Sequence, residues 1–419
     1  MNETDSGKRF RRIAAAGIFF QGGAAAIDTG TIVAALVHVL TGSAIAVGAA
    51  AAIARYGWLF PQLFVAYHAR HKRRRLPYYM VGSFGRVACL IAVSALLVAV
   101  PPDFPRVTVI GFFVLWTVYA FVGGVVAVPY NDIVARSIPS PRRSRLLATR
   151  FFGGGVLALL VAGVAHRVLG ALVFPLDYAV VLLLGAALLL ISALCFISAG
   201  EPEATPPREK RDGFADFLRG GLRILHENRR FRLFIQARWL DGAVTMALPF
   251  YIVQATAAGA PSSTVALLLA AQTTGALLSN PLWGWLGDRR GKRQLLEAVV
   301  VLAALPSLLT LGWIAFGPAA PGAAPVWFAM VFAVLGAAGN GGIIAQLGYL
   351  MEISPDDDRP AYSGYFNALV APAALLPLAG GVLMKAAGPA AVFGISAGAA
   401  MAQWLVVRRL QPAIPGDST

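Results

Sequence analysis

Charge is scarce in this chain. Asp, Glu, Lys and Arg together make up 13% of its 419 residues, against ~25% in ordinary soluble domains. A water-soluble protein of this size could not cover its surface with so few charges. Cysteine is scarcer still. Cys89 and Cys195 both fall in apolar stretches, in no CxxC pair and no metal spacing. They read as small packing residues and leave the redox compartment open. The five histidines, His38, His68, His71, His166 and His226, are scattered. No HExxH, CxxC, GxSxG or nucleotide-binding P-loop occurs. These absences argue against a metal centre, a bound cofactor, an ATP-driven pump and an enzyme in general.

What is present is apolar. Hydrophobic residues reach 58% and mean hydropathy is +0.69, so the chain needs a bilayer as its solvent. The net charge of +15 does not point to nucleic acid, because the basic residues sit in short clusters between apolar runs, as in cytosolic loops of membrane proteins. A membrane helix takes ~20 mostly apolar residues. Twelve segments qualify: 13–40, 43–67, 77–100, 107–134, 147–170, 176–199, 231–257, 263–286, 294–316, 325–350, 361–385 and 388–407. The first follows a basic start and carries Ala24-Ala25-Ala26, which resembles a signal-peptide cleavage site. Its apolar run continues past Asp28 to about Leu40, so it reads as a retained helix.

Orientation follows from the loops. With the N-terminus in the cytosol, 29 of the 35 Lys and Arg fall on the cytosolic side, and only Arg106, Arg167 and Lys385 on the other. Both termini are therefore expected inside a plasma or inner membrane. The longest polar stretch, 200–230, divides the chain into a bundle at 1–199 and a bundle at 231–410, with a short tail at 411–419. Within it, Phe214–Arg230 suits either a basic amphipathic helix on the membrane surface or a plain tether. The halves echo each other: Pro61 and Lys72 correspond to Pro281 and Lys292, and Ile138-Pro139-Ser140-Pro141 to Ile353-Ser354-Pro355. Weak internal symmetry of this kind marks duplicated transporter folds.

The loop Gly284-Trp285-Leu286-Gly287-Asp288-Arg289-Arg290-Gly291-Lys292-Arg293 resembles the loop motif of the major facilitator superfamily, and its place between spans eight and nine fits that family's second copy. The resemblance covers nearly the whole chain and implies an all-α fold of twelve membrane helices in two six-helix repeats. The first-half position, Tyr67 to Arg75, keeps the basic residues but lacks the Gly and Asp. The Gly-Pro motif of proton-driven drug exporters is also missing from span five, which has Gly153-Gly154-Gly155. Gly287 is expected to give a tight turn, with Asp288 on backbone N–H groups or an arginine. Arg289 and Arg293 would then reach carboxylates and helix ends. The resemblance implies a cytosolic latch, with Glu352 as partner in the second half and Asp132, with Arg73 or Arg86, in the first. A topological anchor without gating is the alternative.

Ionisable residues inside spans cost at least ~2.5–3.5 kcal/mol, which makes them functional candidates. Asp28 and Arg55 lie at similar depth on neighbouring spans. They read either as a buried ion pair or as a proton carrier beside a residue that holds an anionic group. Arg238 and Asp241 are i, i+3 neighbours, suited to a local pair or to solute contact. The resemblance implies a central cavity lined by spans one, four, seven and ten, which carry Gln21, Asp28, Asn131, Tyr251, Gln254, Asn340 and Gln346. The expectation is a monomeric secondary transporter for a small anionic or zwitterionic solute, coupled to protons through Asp28 and working by alternating access. A drug or metabolite exporter and a non-transporting assembly factor or sensor of the same fold are the alternatives.

Overall fold

A computed structural model describes residues 3–69, 74–101, 103–138, 140–202, 214–261, 263–317, 322–354 and 359–410. Among them the only regular structure is helical, and nine helices are long and apolar enough to cross a membrane. The chain forms two compact units, Met1–Lys210 with Pro261–Ala270, and Arg211–Ala260 with Ala271–Thr419.

The first unit holds α1 (Glu3–Ala26), α2 (Ile32–Thr41), α3 (Ala44–Ala69), α4 (Leu76–Ala99), α5 (Pro105–Ser137), α6 (Ser140–Ala171) and α7 (Leu176–Ala199). Helix α1 packs on α6 and α7, α4 on α5 and α7, and α3 on α5. A single helix over 13–40 was the expectation, and the structure corrects it. The chain leaves the helix after Ala26, where Asp28 Oδ1 accepts from the Gly30 amide at 3.0 Å and the Thr31 hydroxyl at 2.8 Å. A short acceptor that offers its own backbone an alternative partner competes with the helix ladder. Helix α2 ends on Gly42, whose φ of 60° is the left-handed cap that only glycine adopts without strain.

The second unit holds α8 (Phe214–Glu227), α9 (Arg229–Thr245), α10 (Phe250–Ala257), α11 (Thr264–Arg289), α12 (Lys292–Phe316), α13 (Ala324–Ile353), α14 (Arg359–Val370) and α15 (Leu376–Arg408), although the start of α11 clusters with the first unit. Helix α8 occupies most of the stretch that suited either an amphipathic helix or a tether. The expected span 231–257 is broken between α9 and α10. Pro249 has no N–H to give and disfavours helix at the residue before it. At the break the Val244 carbonyl accepts from the Ala247 amide at 3.4 Å and from Ser396 Oγ on α15 at 2.8 Å. Ser396 accepts in turn from Ser307 on α12 at 2.8 Å, and Ser307 lies 2.7 Å from the Tyr251 hydroxyl. The buried hydroxyls of Tyr251, Ser307 and Ser396 at this break all have partners, as hydrocarbon requires. The last two expected spans run together as Gly364–Arg408, 45 residues, interrupted at Gly388 with φ 80° and ψ 177°. The proposed repeat has a structural trace: Pro61 lies inside α3 and Pro281 inside α11.

Candidate functional site

A cavity of about 130 Å³ opens inside the first unit between α1, α3, α4, α5, α6 and α7. Its polar groups are Arg86 of α4, Arg150 of α6, and Asn131 and Tyr130 of α5; Phe20, Trp58 and Tyr79 supply aromatic wall. The guanidinium of Arg86 lies 5.4 Å from the Phe20 ring centroid and that of Arg150 5.8 Å from the same ring. Arg150 also sits 5.2 Å from the Tyr130 ring and donates to the Tyr130 hydroxyl at 3.1 Å. Glycines make room for both arginines. A Cβ on Gly17 would stand 2.4 Å from the Arg150 stem, and one on Gly123 would stand 3.1 Å from that of Arg86. Among the described residues no carboxylate lines the cavity, and neither arginine has an ion-pair partner.

Arg86 was expected at the latch beside Asp132, and this is corrected. Asp132 pairs with Arg75 and with Arg136, the latter at 2.6 Å. Arg86 points instead into the bundle and is 5% exposed. Arg73 lies outside the described residues. The first-half network is completed by Glu201, just past α7. Its carboxylate accepts from the amides of Arg75 and Leu76 at 2.9 and 3.0 Å and from Arg136 at 2.8 Å. Arg9 donates to the Ala199 carbonyl at 3.1 Å, and Arg12 to that of Ser198, so cations cover the C-terminal end of α7 as its dipole favours.

The second-half loop departs from expectation. Helix α11 runs through Gly287 and Asp288 to Arg289, so the turn falls at Gly291, with φ 88°. Asp288 faces Lys292 at 3.5 Å with its side chain 81% exposed, and does not cap α12. Arg293 bonds Glu297 at 2.9 Å and the Arg408 carbonyl at 3.2 Å. Arg289 and Glu352 are exposed and form no ion pair among the described residues. A solvated i, i+4 pair contributes little, so Asp288→Asn is expected to leave the melting temperature in detergent within about 2 °C of the parent. Scanning fluorimetry checks this.

The remaining candidates separate. Asp28 is committed to its own turn, where it accepts from Gly30 and Thr31. Arg238 and Asp241 form the local pair, 3.0 Å apart. Tyr251, 2% exposed, is consumed by the serine chain. Asn340 donates to Asn280 at 2.6 Å and to the Ala276 carbonyl at 3.2 Å, tying α13 to α11. The Gln21 stem fills the space over Gly154 of α6, and Gln254 and Gln346 are half-buried. Only Asn131 and Arg86 of the expected residues meet at the cavity.

The fold is shared with solved membrane transporters. A nucleoside transporter, NupG, superposes with a TM-score of 0.73 at 14% identity, over 96% of this chain and 99% of that one. A D-xylose–proton symporter gives 0.72 at 15%, over 97% and 98%. An auto-inhibited POT family peptide transporter gives 0.74 at 11%, over 98% and 99%. At these identities the likeness shows the fold alone. No curated protein matches in sequence. Residues 237–418 match the family model of the Major Facilitator Superfamily. Over that stretch the chain is similar to that superfamily. Arg150, Glu201, Arg136 and Arg75 are the residues that sequence reasoning passed over. By sequence Arg150 reads as the last member of the basic cluster that begins at Arg136. The signal that sets it apart is its neighbours, Phe151, Phe152 and three glycines, which place it on the apolar side of the boundary.

Proposed function

We propose that this protein is a secondary transporter of the Major Facilitator Superfamily, with twelve membrane crossings and both termini in the cytosol, moving a small anionic or zwitterionic solute across the inner membrane by alternating access. The observation that carries the reading is the cavity with two arginines and, among the described residues, no carboxylate, set in a fold that solved transporters share over at least 96% of this chain. The breaks in spans one and seven support it, since discontinuous helices with internally satisfied backbone are how transporter folds place polar groups at membrane depth. The bias of basic residues between loops supports the orientation. Counterflow of a labelled solute into proteoliposomes tests the reading; a purified, folded protein that exchanges no solute of any class would overturn it.

Proton coupling through Asp28 belongs to the same proposal. The Asp28 carboxylate holds the break in span one through Gly30 and Thr31, and proton binding would weaken both bonds. Asp28→Asn is expected to abolish accumulation driven by a pH gradient while leaving solute exchange intact. Unchanged pH-driven accumulation would sink this role.

A further inference from the structure

We infer that the cavity around Arg86 and Arg150 is a binding site for one small organic anion: a single carboxylate, or a sulfonate or phosphate of like size, carried on a flat apolar body. As a substrate site, this rests on the transport reading above. The argument begins with charge. Two guanidiniums line a cavity with no acid among its described lining residues. Buried charges in proteins are paired, because leaving one unpaired forfeits its hydration with nothing in return. The acids near in sequence are committed elsewhere, Asp132 to Arg75 and Arg136 and Asp28 to its own turn. The Nε–H groups of Arg86 and Arg150 are both buried without an acceptor. Phe20 serves both cations through its ring face, which holds them but leaves donors unused. The missing partner is an anion from outside the chain, and a planar oxyanion matches the guanidinium fork. The rest of the wall, with Trp58, Tyr79, Val126 and Ala127, suits an apolar and preferably flat body. The cavity, about 130 Å³ in volume, is small, which favours one anionic group on a compact ring.

The test uses the full-length protein in detergent and reads thermal unfolding and tryptophan fluorescence with benzoate, acetate and benzamide. Benzoate is expected to stabilise, acetate to bind more weakly, and benzamide to have no effect. Arg86→Gln and Arg150→Gln are each expected to weaken benzoate binding by about tenfold or more. Arg86→Gln removes a buried charge without an ion-pair partner, so its ligand-free form should melt no lower than the parent; Arg150→Gln, at a half-buried residue, also loses the Tyr130 bond and is read by its binding alone. Should either fail to fold, Arg150→Lys, which keeps the charge and loses the fork, is expected to bind at intermediate strength. Equal protection by benzamide, undiminished binding in a glutamine variant, parent-like affinity in the lysine variant, or no benzoate effect at all would overturn the site. Acetate binding as tight as benzoate would overturn the flat apolar body. Binding needs no flux, so the two readings fail separately. Benzoate binding with no counterflow of any solute removes the transport reading and leaves the site. Counterflow of another solute without benzoate binding does the reverse.

Discussion

Gly336→Ala is expected to destabilise the second unit by about 3 kcal/mol or more, at the upper end of what overpacking does. A Cβ on Gly336 would stand 1.8 Å from the Gln272 carbonyl oxygen of α11, and one on Gly275 would stand 1.9 Å from the Ala333 carbonyl oxygen of α13. Both obstacles are backbone, so no rotamer change relieves them; the helices would have to separate. Without hydrophobic force between helices in lipid, close backbone approach through small residues is a main source of association. Separation would also strain the Asn340 to Asn280 bond and the Trp283 bond to the Ala337 carbonyl, 3.0 Å long. The control lies on the same helix. Gly339 has open space where its Cβ would go, and alanine is the better helix former, so Gly339→Ala should melt at the parent temperature or slightly above. Monodisperse yield and melting temperature in mild detergent decide the matter. If Gly336→Ala behaves like Gly339→Ala, the close approach is not real.

Composition and hydropathy carry most of the fold, because the bilayer imposes a length and polarity rule that any ~20-residue window exposes. They could not show where spans one and seven break. Hydropathy does not register that Asp28 turns its carboxylate on its own backbone, or that the break before Pro249 brings Val244 to a serine more than 150 residues away. The candidate site was harder to read for a related reason. Asn131 and Arg86 were singled out as polar groups in apolar spans, but their grouping with Arg150 depends on how α1, α4, α5 and α6 face one another. Arg86 was assigned to Asp132 because both lie toward the same end of their helices. Depth along a helix was legible, and direction around it was not. The same limit hid Glu201, which in sequence is one acid among several in a linker. In the structure it is the acceptor on which three chain segments converge.

Glu201→Gln is expected to lower the stability of the first unit by about 2–3 kcal/mol, from the loss of charge-assisted hydrogen bonds and a helix-start cap, or roughly 5–10 °C in melting temperature. Glutamine preserves the shape, so the effect isolates the charge. One oxygen is replaced by a donor, which would face either the Arg136 guanidinium or the α4 amides, all of them donors themselves. The side chain is 8% exposed, so water cannot take over. The same contacts fix the pH dependence. Burial pushes the Glu201 carboxyl up, but the Arg136 hydrogen bond and the Leu76 and Arg75 amides outweigh it and hold the group below its ordinary 4.5. A carboxylate depressed on folding contributes stability that is fully present above the unfolded value and lost as pH falls through the folded one. The parent protein should therefore melt at a constant temperature, as far as this group decides it, down to about pH 4.5, and progressively lower below that. Glu201→Gln should start lower and lose less over the acid range. The partner variant Arg136→Gln should be non-additive with it, since each single change already removes their shared bond. Additive losses, or parallel acid profiles for parent and Glu201→Gln, would show that the network is solvated in the membrane-bound protein and does not hold α4, α5 and α7 together.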